Sequence, residues 1–231
     1  MKKILTILCS VPILALAQDC KNYLFMTDNA QIQMTVYDKK GKESGIVTWK
    51  ISNVKKSNNG AESTVNSTFK DEKGKEISNS KGIYKCDNGI LKADVRMSIP
   101  QESLQAYKDA EAKFDSVYLE YPANISVGQT LKDADFKMDL QSKGGLSTTV
   151  TFKEVNRKVS NKESTTTPAG TWEAYVIDFE TTFKMQIAGI GIPINLMGKE
   201  WFVPNVGVVK SETYSKGGKL VGSTVLSSII K

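Results

Sequence analysis

Apolar and polar residues alternate along most of this chain. Ile32, Met34 and Val36 are separated by Gln33 and Thr35, and Val47, Trp49 and Ile51 by Thr48 and Lys50. Val65, Ser67 and Phe69 repeat the pattern, as do Phe136, Met138 and Leu140. A period of two puts one set of side chains on a buried face and the other in water, which is the mark of antiparallel strands. Between the runs lie turn residues. Asp38-Lys39-Lys40-Gly41-Lys42-Glu43 is echoed by Asp71-Glu72-Lys73-Gly74-Lys75-Glu76, and Asp87-Asn88-Gly89 and Ser215-Lys216-Gly217-Gly218-Lys219 are of the same kind. Aspartate or asparagine closes such a turn through its side chain, and glycine supplies the positive φ. The echo reads as one hairpin solution used twice, since no period of 20–50 residues is sustained.

Ala174 to Ile187 is the longest alternating run. Tyr175, Ile177, Phe179, Phe183, Met185 and Ile187 share a face with Thr181. Extended, it would reach roughly 46 Å, so such a strand must bend or carry a bulge. The predicted fold is therefore all-β, a strongly curved antiparallel sheet closing as a roll or open barrel. One short helix is expected over 101–114: Ser98-Ile99-Pro100-Gln101 resembles a helix start, and Leu104, Tyr107, Ala110 and Phe114 fall near one helical face. Residues 157–170, rich in serine and threonine, read as a loop or an irregular hairpin end.

Residues 1–17 stand apart. Lys2 and Lys3 precede an apolar stretch from Ile4 to Leu16, and Ala15-Leu16-Ala17 is a small-x-small cleavage pattern. This is the plan of a secretory signal peptide, and its apolar stretch is short for a membrane span of about 20 residues. Neither Cys9 nor Cys20 follows the small residue that lipoprotein processing favours. Residues 18–231 are then expected as a single β-rich domain with no membrane span, exported to the periplasm or the cell exterior. Cys20 and Cys86 remain as a pair and form a disulfide candidate.

Composition removes several chemistries. There is no histidine among 231 residues, which excludes the usual Ser-His-Asp and Cys-His triads and the commonest zinc ligand. Loss of Lys2 and Lys3 with the leader lowers the net charge from +6 to +4 (29 basic against 25 acidic residues), and Arg96 and Arg157 are the only arginines. Scattered lysines give no phosphate-clamping stripe, so nucleic acid is not an expected partner. Asp133 with Asp135, and Asp109 with Glu111, lack the ligand density of a calcium loop, and no metal or cofactor is expected. Gly189-Ile190-Gly191 and Gly217-Gly218 do not lead into a phosphate-binding helix. Asn66-Ser67-Thr68 and Asn124-Ile125-Ser126 match the glycosylation acceptor pattern, which is silent here.

The apolar face has two readings. Phe136, Met138, Leu140, Phe183, Met185 and Ile187 either fill a core or line a pocket for an acyl chain or other apolar small molecule. Ile190-Gly191-Ile192-Pro193-Ile194-Asn195-Leu196 reads as a flap over such a mouth or as a buried bend.

Thr167-Pro168-Ala169-Gly170-Thr171-Trp172 leads into the long strand, and Glu200-Trp201-Phe202-Val203-Pro204-Asn205-Val206-Gly207-Val208-Val209-Lys210 follows. With Leu119-Glu120-Tyr121-Pro122 and Val127-Gly128-Gln129-Thr130-Leu131, these resemble the TapB-like family of exported bacterial proteins of unknown function. The resemblance is strongest over 119–231 and looser over 20–100. It implies an all-β exported domain and supplies no catalytic residues; Pro168 with Gly170 and Pro204 with Gly207 read as the turns of two hairpins, with Trp201 or Phe202 turned inward. A non-catalytic protein binding an apolar or envelope-derived ligand is expected. The alternative is a structural or assembly component of the envelope acting through contacts with envelope proteins.

Overall fold

The computed structural model describes residues 20–58, 60–98, 111–114, 117–141, 147–187 and 189–231. Thirteen strands carry the chain: β1 (Gln31–Asp38), β2 (Glu43–Lys56), β3 (Gly60–Asp71), β4 (Glu76–Asp87), β5 (Ile90–Asp94), β6 (Glu111–Phe114), β7 (Tyr118–Tyr121), β8 (Ala134–Gln141), β9 (Ser147–Thr167), β10 (Gly170–Ile187), β11 (Ile194–Val203), β12 (Gly207–Ser215) and β13 (Leu220–Ile230). They form one sheet in the order β6-β8-β9-β10-β11-β12-β13-β1-β2-β3-β4-β5-β7, and every pairing is antiparallel. The sheet curls into a nearly closed barrel with one seam. Across the interior, Tyr121 of β7 stacks on Phe202 of β11, with ring centroids 4.7 Å apart. Arg157 of β9 donates to the carbonyls of Glu120 and Lys132 (3.2 and 3.0 Å), which ties β9 to the far edge of the sheet.

The alternation places its residues as read. Met34 pairs with Val47 and Val47 with Phe69, while Trp49 pairs with Ser67. All of these side chains face the interior. The long run is longer than expected: β10 has 18 residues and β9 has 21. Their pairing slips between Val176 and Ile177 and again between Asp178 and Glu180. These bulges supply the bend that strands of such length require.

One expectation fails, and one pair of alternatives is decided. The helix over 101–114 is not borne out at its end, where 111–114 is a strand paired with Met138–Gln141; residues 101–110 lie outside the described residues. Ala112 and Phe114 fit strand alternation as well as a helical face, and the available partner edge of β8 decides. Among the described residues the only helical pieces are short 3-10 turns, Cys20–Asn22, Leu24–Met26 and Val95–Ser98. Of the two readings of 157–170, the loop fails and the irregular hairpin end holds. Residues 157–167 complete β9 by pairing with β10 down to the Thr167–Gly170 turn, where β-branched threonines suit a strand.

The turns follow their side chains. Asp38 Oδ1 accepts from the backbone N–H groups of Lys40 and Lys42 (2.8 and 2.9 Å), and Asp71 Oδ1 accepts likewise from Lys73 and Lys75 (both 2.9 Å). These hydrogen bonds to the carboxylate hold the Asp38 pKa below its ordinary value. Ser215 plays the same part for the β12–β13 hairpin, its Oγ accepting from Lys219 N at 3.2 Å. By register, the hairpins β1–β2, β3–β4, β10–β11 and β12–β13 lie at one end of the barrel. The β9–β10 and β11–β12 hairpins lie at the other.

That second end is plugged. Leu24 N donates to Asn205 O (2.8 Å), Tyr23 donates to Gly89 O (3.3 Å), and Phe25 stacks on Tyr84 with centroids 4.5 Å apart. Gly207, with φ of 113°, lets Phe25 approach so closely that a Cβ there would stand 2.7 Å from its ring. Cys20 is bonded to Cys86, which fixes the plug to β4.

Candidate functional site

The barrel encloses a cavity of about 530 Å³. Its walls are apolar. Phe25 and Tyr84 lie toward the plug, Trp49, Phe69 and Met34 on one side, and Phe152, Phe179, Phe183 and Phe202 on the other. The sheet leaves this space because its large inward side chains lie flat against small neighbours. Phe179 lies across Gly198, its cross-strand partner, where a Cβ would stand 2.2 Å from the ring. At the hairpin end Met197 and Val221 both line the cavity and are 46% exposed, so they mark its mouth.

One polar cluster interrupts the apolar wall. Glu154 is 2% exposed and Arg157 is fully buried. Arg157 Nε lies 2.8 Å from Glu154 Oε1 without the alignment of a hydrogen bond, so the contact is an ion pair. The guanidinium carbon sits 5.0 Å from the Tyr121 ring centroid, and Tyr121 donates to Glu200 Oε2 at 2.8 Å. Glu154, Glu200 and Tyr121 line the cavity. Burial, and then the charge of Glu200, push the Glu154 carboxyl up to about 8 against the pull of Arg157. Burial raises Glu200 as well, opposed by Arg157 and by the Tyr121 hydrogen bond. Burial, reinforced by Glu200, holds the Tyr121 phenol well above its usual range. Two carboxyls thus share one guanidinium, and the cluster retains a proton where isolated carboxyls have lost theirs. Among the described residues Arg157 Nη2 has no hydrogen-bond partner. A ligand whose polar end carries a hydroxyl or amide would find both donors and acceptors here.

The six apolar residues singled out by alternation do share one face. Phe136 and Phe183 flank Phe152, Met138 and Met185 flank Val150, and Leu140 and Ile187 flank Thr148. Phe183 lines the cavity. Phe136, Met138 and Leu140 are buried in the wall beside the seam, Met185 is half-buried against the core, and Ile187 is 45% exposed. Ile190 and Ile192, at 81% and 85% exposure, show that the stretch after β10 is no buried bend. Asp135 is paired with Lys153 at 2.6 Å on the surface. Asp109 and the side chain of Glu111 lie outside the described residues. Among the described residues, no three His, Cys, Asp or Glu side chains converge to hold a metal ion.

The sequence assigned no site role to Glu154, Arg157, Glu200 or Tyr121, although Glu200 and Tyr121 lie in the motifs of the family resemblance. Glu154 continues the inward series Val150, Phe152, and an ionisable residue in an apolar register was the available signal. Arg157 is out of phase with that series and only the bulge brings it in.

Both motifs quoted for the family resemblance form hairpins. Pro168 and Ala169 form the β9–β10 turn, and Trp172 donates to Thr167 Oγ1 at 3.0 Å. Phe202 turns inward, while Trp201 is buried on the outer face, donating to Glu163 at 2.8 Å beneath Lys210.

Two solved structures share this fold. A candidate lipoprotein from Parabacteroides distasonis superposes with a TM-score of 0.73 at 22% identity, covering 92% of this chain and 100% of its own. A candidate exported protein with a YmcC-like fold from Bacteroides fragilis gives a TM-score of 0.70 at 22% identity, covering 89% and 97%. No curated protein matches the chain. The TapB-like name is not confirmed; the family match is described as DUF3108-like and spans residues 27–226. The chain belongs to the DUF3108-like family.

Proposed function

We propose that this protein is a non-catalytic exported binder of an elongated apolar ligand, held in the barrel with its polar end at the Glu154–Arg157–Glu200 cluster. The cavity carries the reading. Its volume of about 530 Å³ lies within the range of about 300–1,000 Å³ usual for ligand sites. Its aromatic and methionine lining suits an acyl chain, since such side chains adapt to a flexible apolar partner. Export is supported by the leader pattern over 1–17, by the Cys20–Cys86 disulfide, which suits an oxidising compartment, and by the two fold relatives, described as a candidate lipoprotein and a candidate exported protein. The periplasm or the cell exterior is the proposed place of action. No cofactor enters this reading.

A fluorescent fatty acid titrated into the purified protein tests it. Uptake is expected with one site per chain, and Met197→Trp at the mouth is expected to weaken it about tenfold. A folded wild-type protein that takes up no probe would sink the reading. The second reading, an envelope component working through protein contacts, draws on the exposed β10–β11 tip. It predicts concentration-dependent association that Ile192→Ser removes.

A further inference from the structure

The β10–β11 hairpin leaves apolar surface in water where a β-hairpin ordinarily carries polar residues. Ile190 and Ile192 are 81% and 85% exposed, and Ile194 and Met197 are 53% and 46% exposed. Ile187, at 45%, belongs to the same tip, and outside the mouth the other exposed large apolar side chains among the described residues are Val127 and Ile230, on other elements. The tip is a formed structure, with Ile187 and Ile190 exchanging backbone hydrogen bonds of 2.9 and 3.0 Å. Gly191 packs so tightly on the Met185 carbonyl that a Cβ would stand 2.2 Å from it. A backbone held in this way presents Ile190 and Ile192 outward.

Basic side chains flank it, and Asp139, two strands from Gln186 by register, is itself paired with Lys137 at 3.6 Å. Lys216 and Lys219 lie on the neighbouring β12–β13 tip, brought alongside by the pairing of Leu196 with Ser215. Lys184 lies on β10 just before the isoleucines. None of these three lysines is engaged in an ion pair among the described residues. Exposed isoleucines fringed by unpaired lysines are complementary to an anionic bilayer, whose headgroups attract the lysines while its acyl region accepts the isoleucines. The patch is also continuous with the cavity mouth through Met197.

We infer that the β10–β11 hairpin docks this protein onto anionic lipid membranes, with Ile190 and Ile192 entering the interface and Lys184, Lys216 and Lys219 at the headgroups. This sets the cavity mouth against the lipid, so that an acyl chain passes between bilayer and barrel without crossing water. The transfer step rests on the ligand reading above; the docking does not.

Flotation of the purified protein with two vesicle types tests the inference. One type is phosphatidylcholine mixed with phosphatidylglycerol, the other phosphatidylcholine alone. Binding to the mixed vesicles is expected, with at least about a tenfold loss for Ile190→Ser with Ile192→Ser. A several-fold loss is expected for Lys216→Gln with Lys219→Gln, for high salt and for the uncharged vesicles. Fluorescent fatty-acid uptake from solution is expected to be unchanged in both variants, which shows them folded and separates docking from the cavity. Wild-type protein that ignores both vesicle types, or an isoleucine variant that binds as well as wild type, would overturn docking while leaving the cavity reading intact. So would self-association through the isoleucines in place of vesicle binding.

Discussion

Arg157 and Glu154 lie three residues apart on one strand, yet both side chains point into the barrel, 2.8 Å from each other. Strict alternation would put them on opposite faces. Asn156, with φ of 57°, makes the difference. Here β9 spends one residue more than β10 between the Val155–Glu180 and Lys158–Asp178 pairs, and the extra residue turns Arg157 inward. The bulge thereby creates the polar cluster in an apolar cavity.

Removing one partner of this pair is predicted to be far worse than removing both. At about pH 8.5, where the native Glu154 carboxyl is largely ionised, Arg157→Met leaves it without its buried counter-charge, and a loss of about 3–5 kcal/mol in stability is expected. It also frees the carbonyls of Glu120 and Lys132, loosening the seam. Glu154→Leu with Arg157→Met should recover at least half of that loss. Urea denaturation of the two variants checks the prediction.

The same cluster sets a pH dependence opposite in sign to that of most surface carboxylates. The native Glu154 carboxyl titrates near 8, against an ordinary value of 4.5. Between those values the native state keeps a proton that the unfolded chain has released. Its stabilising contribution is therefore whole below the ordinary value and is lost as pH rises through the native one. Glu200, also raised, works in the same direction. Urea midpoints measured from about pH 5 to about pH 8.5 should fall with rising pH, and Glu154→Gln should flatten the slope.

Cys86→Ser is expected to lower stability by about 4 kcal/mol, since the bridge closes a long loop in the unfolded chain. The sequence separation is 66 residues. The loss should be local as well as global, because the bridge holds the plug that carries Phe25 onto Tyr84. Calorimetry gives the first effect. Faster amide exchange at Leu24 and Met26 than in β1 gives the second.

Gly198→Ala tests the packing that keeps the cavity open. The new Cβ would collide with the Phe179 ring, which can only swing away from the wall and into the space beside it. The protein should stay folded, while uptake of a fluorescent acyl probe falls about tenfold, a drop of about 1.4 kcal/mol in binding. Unchanged uptake would show that Phe179 does not bound the ligand.

Much of the fold was legible because alternation is a local property. Val47, Trp49 and Phe69 announce their inward face without knowledge of any partner strand. The Asp38 and Asp71 turns announce themselves by residues that close on their own backbone. What was not legible depends on partners far along the chain. Phe114 fits a helical face as well as a strand, and the edge of β8 decides. Thr165 to Thr167 look like a loop until β10 pairs with them. The cavity is harder still: Phe136 and Phe183 alternate alike, but one is buried in the wall and the other lines open space. The difference lies in the curvature of the whole sheet. Arg157 joins Glu154 only through a bulge, and a single bulge shifts every later residue to the other face.

The central claim is that the barrel interior is a ligand site. Native mass spectrometry of the protein, purified without detergent from the compartment where it accumulates, addresses this most directly. The claim predicts a folded species heavier than the bare chain, whose added mass is released by organic extraction as an apolar molecule. A single species at the mass of the bare chain, together with a protein that stays empty when offered fatty acids, would contradict it.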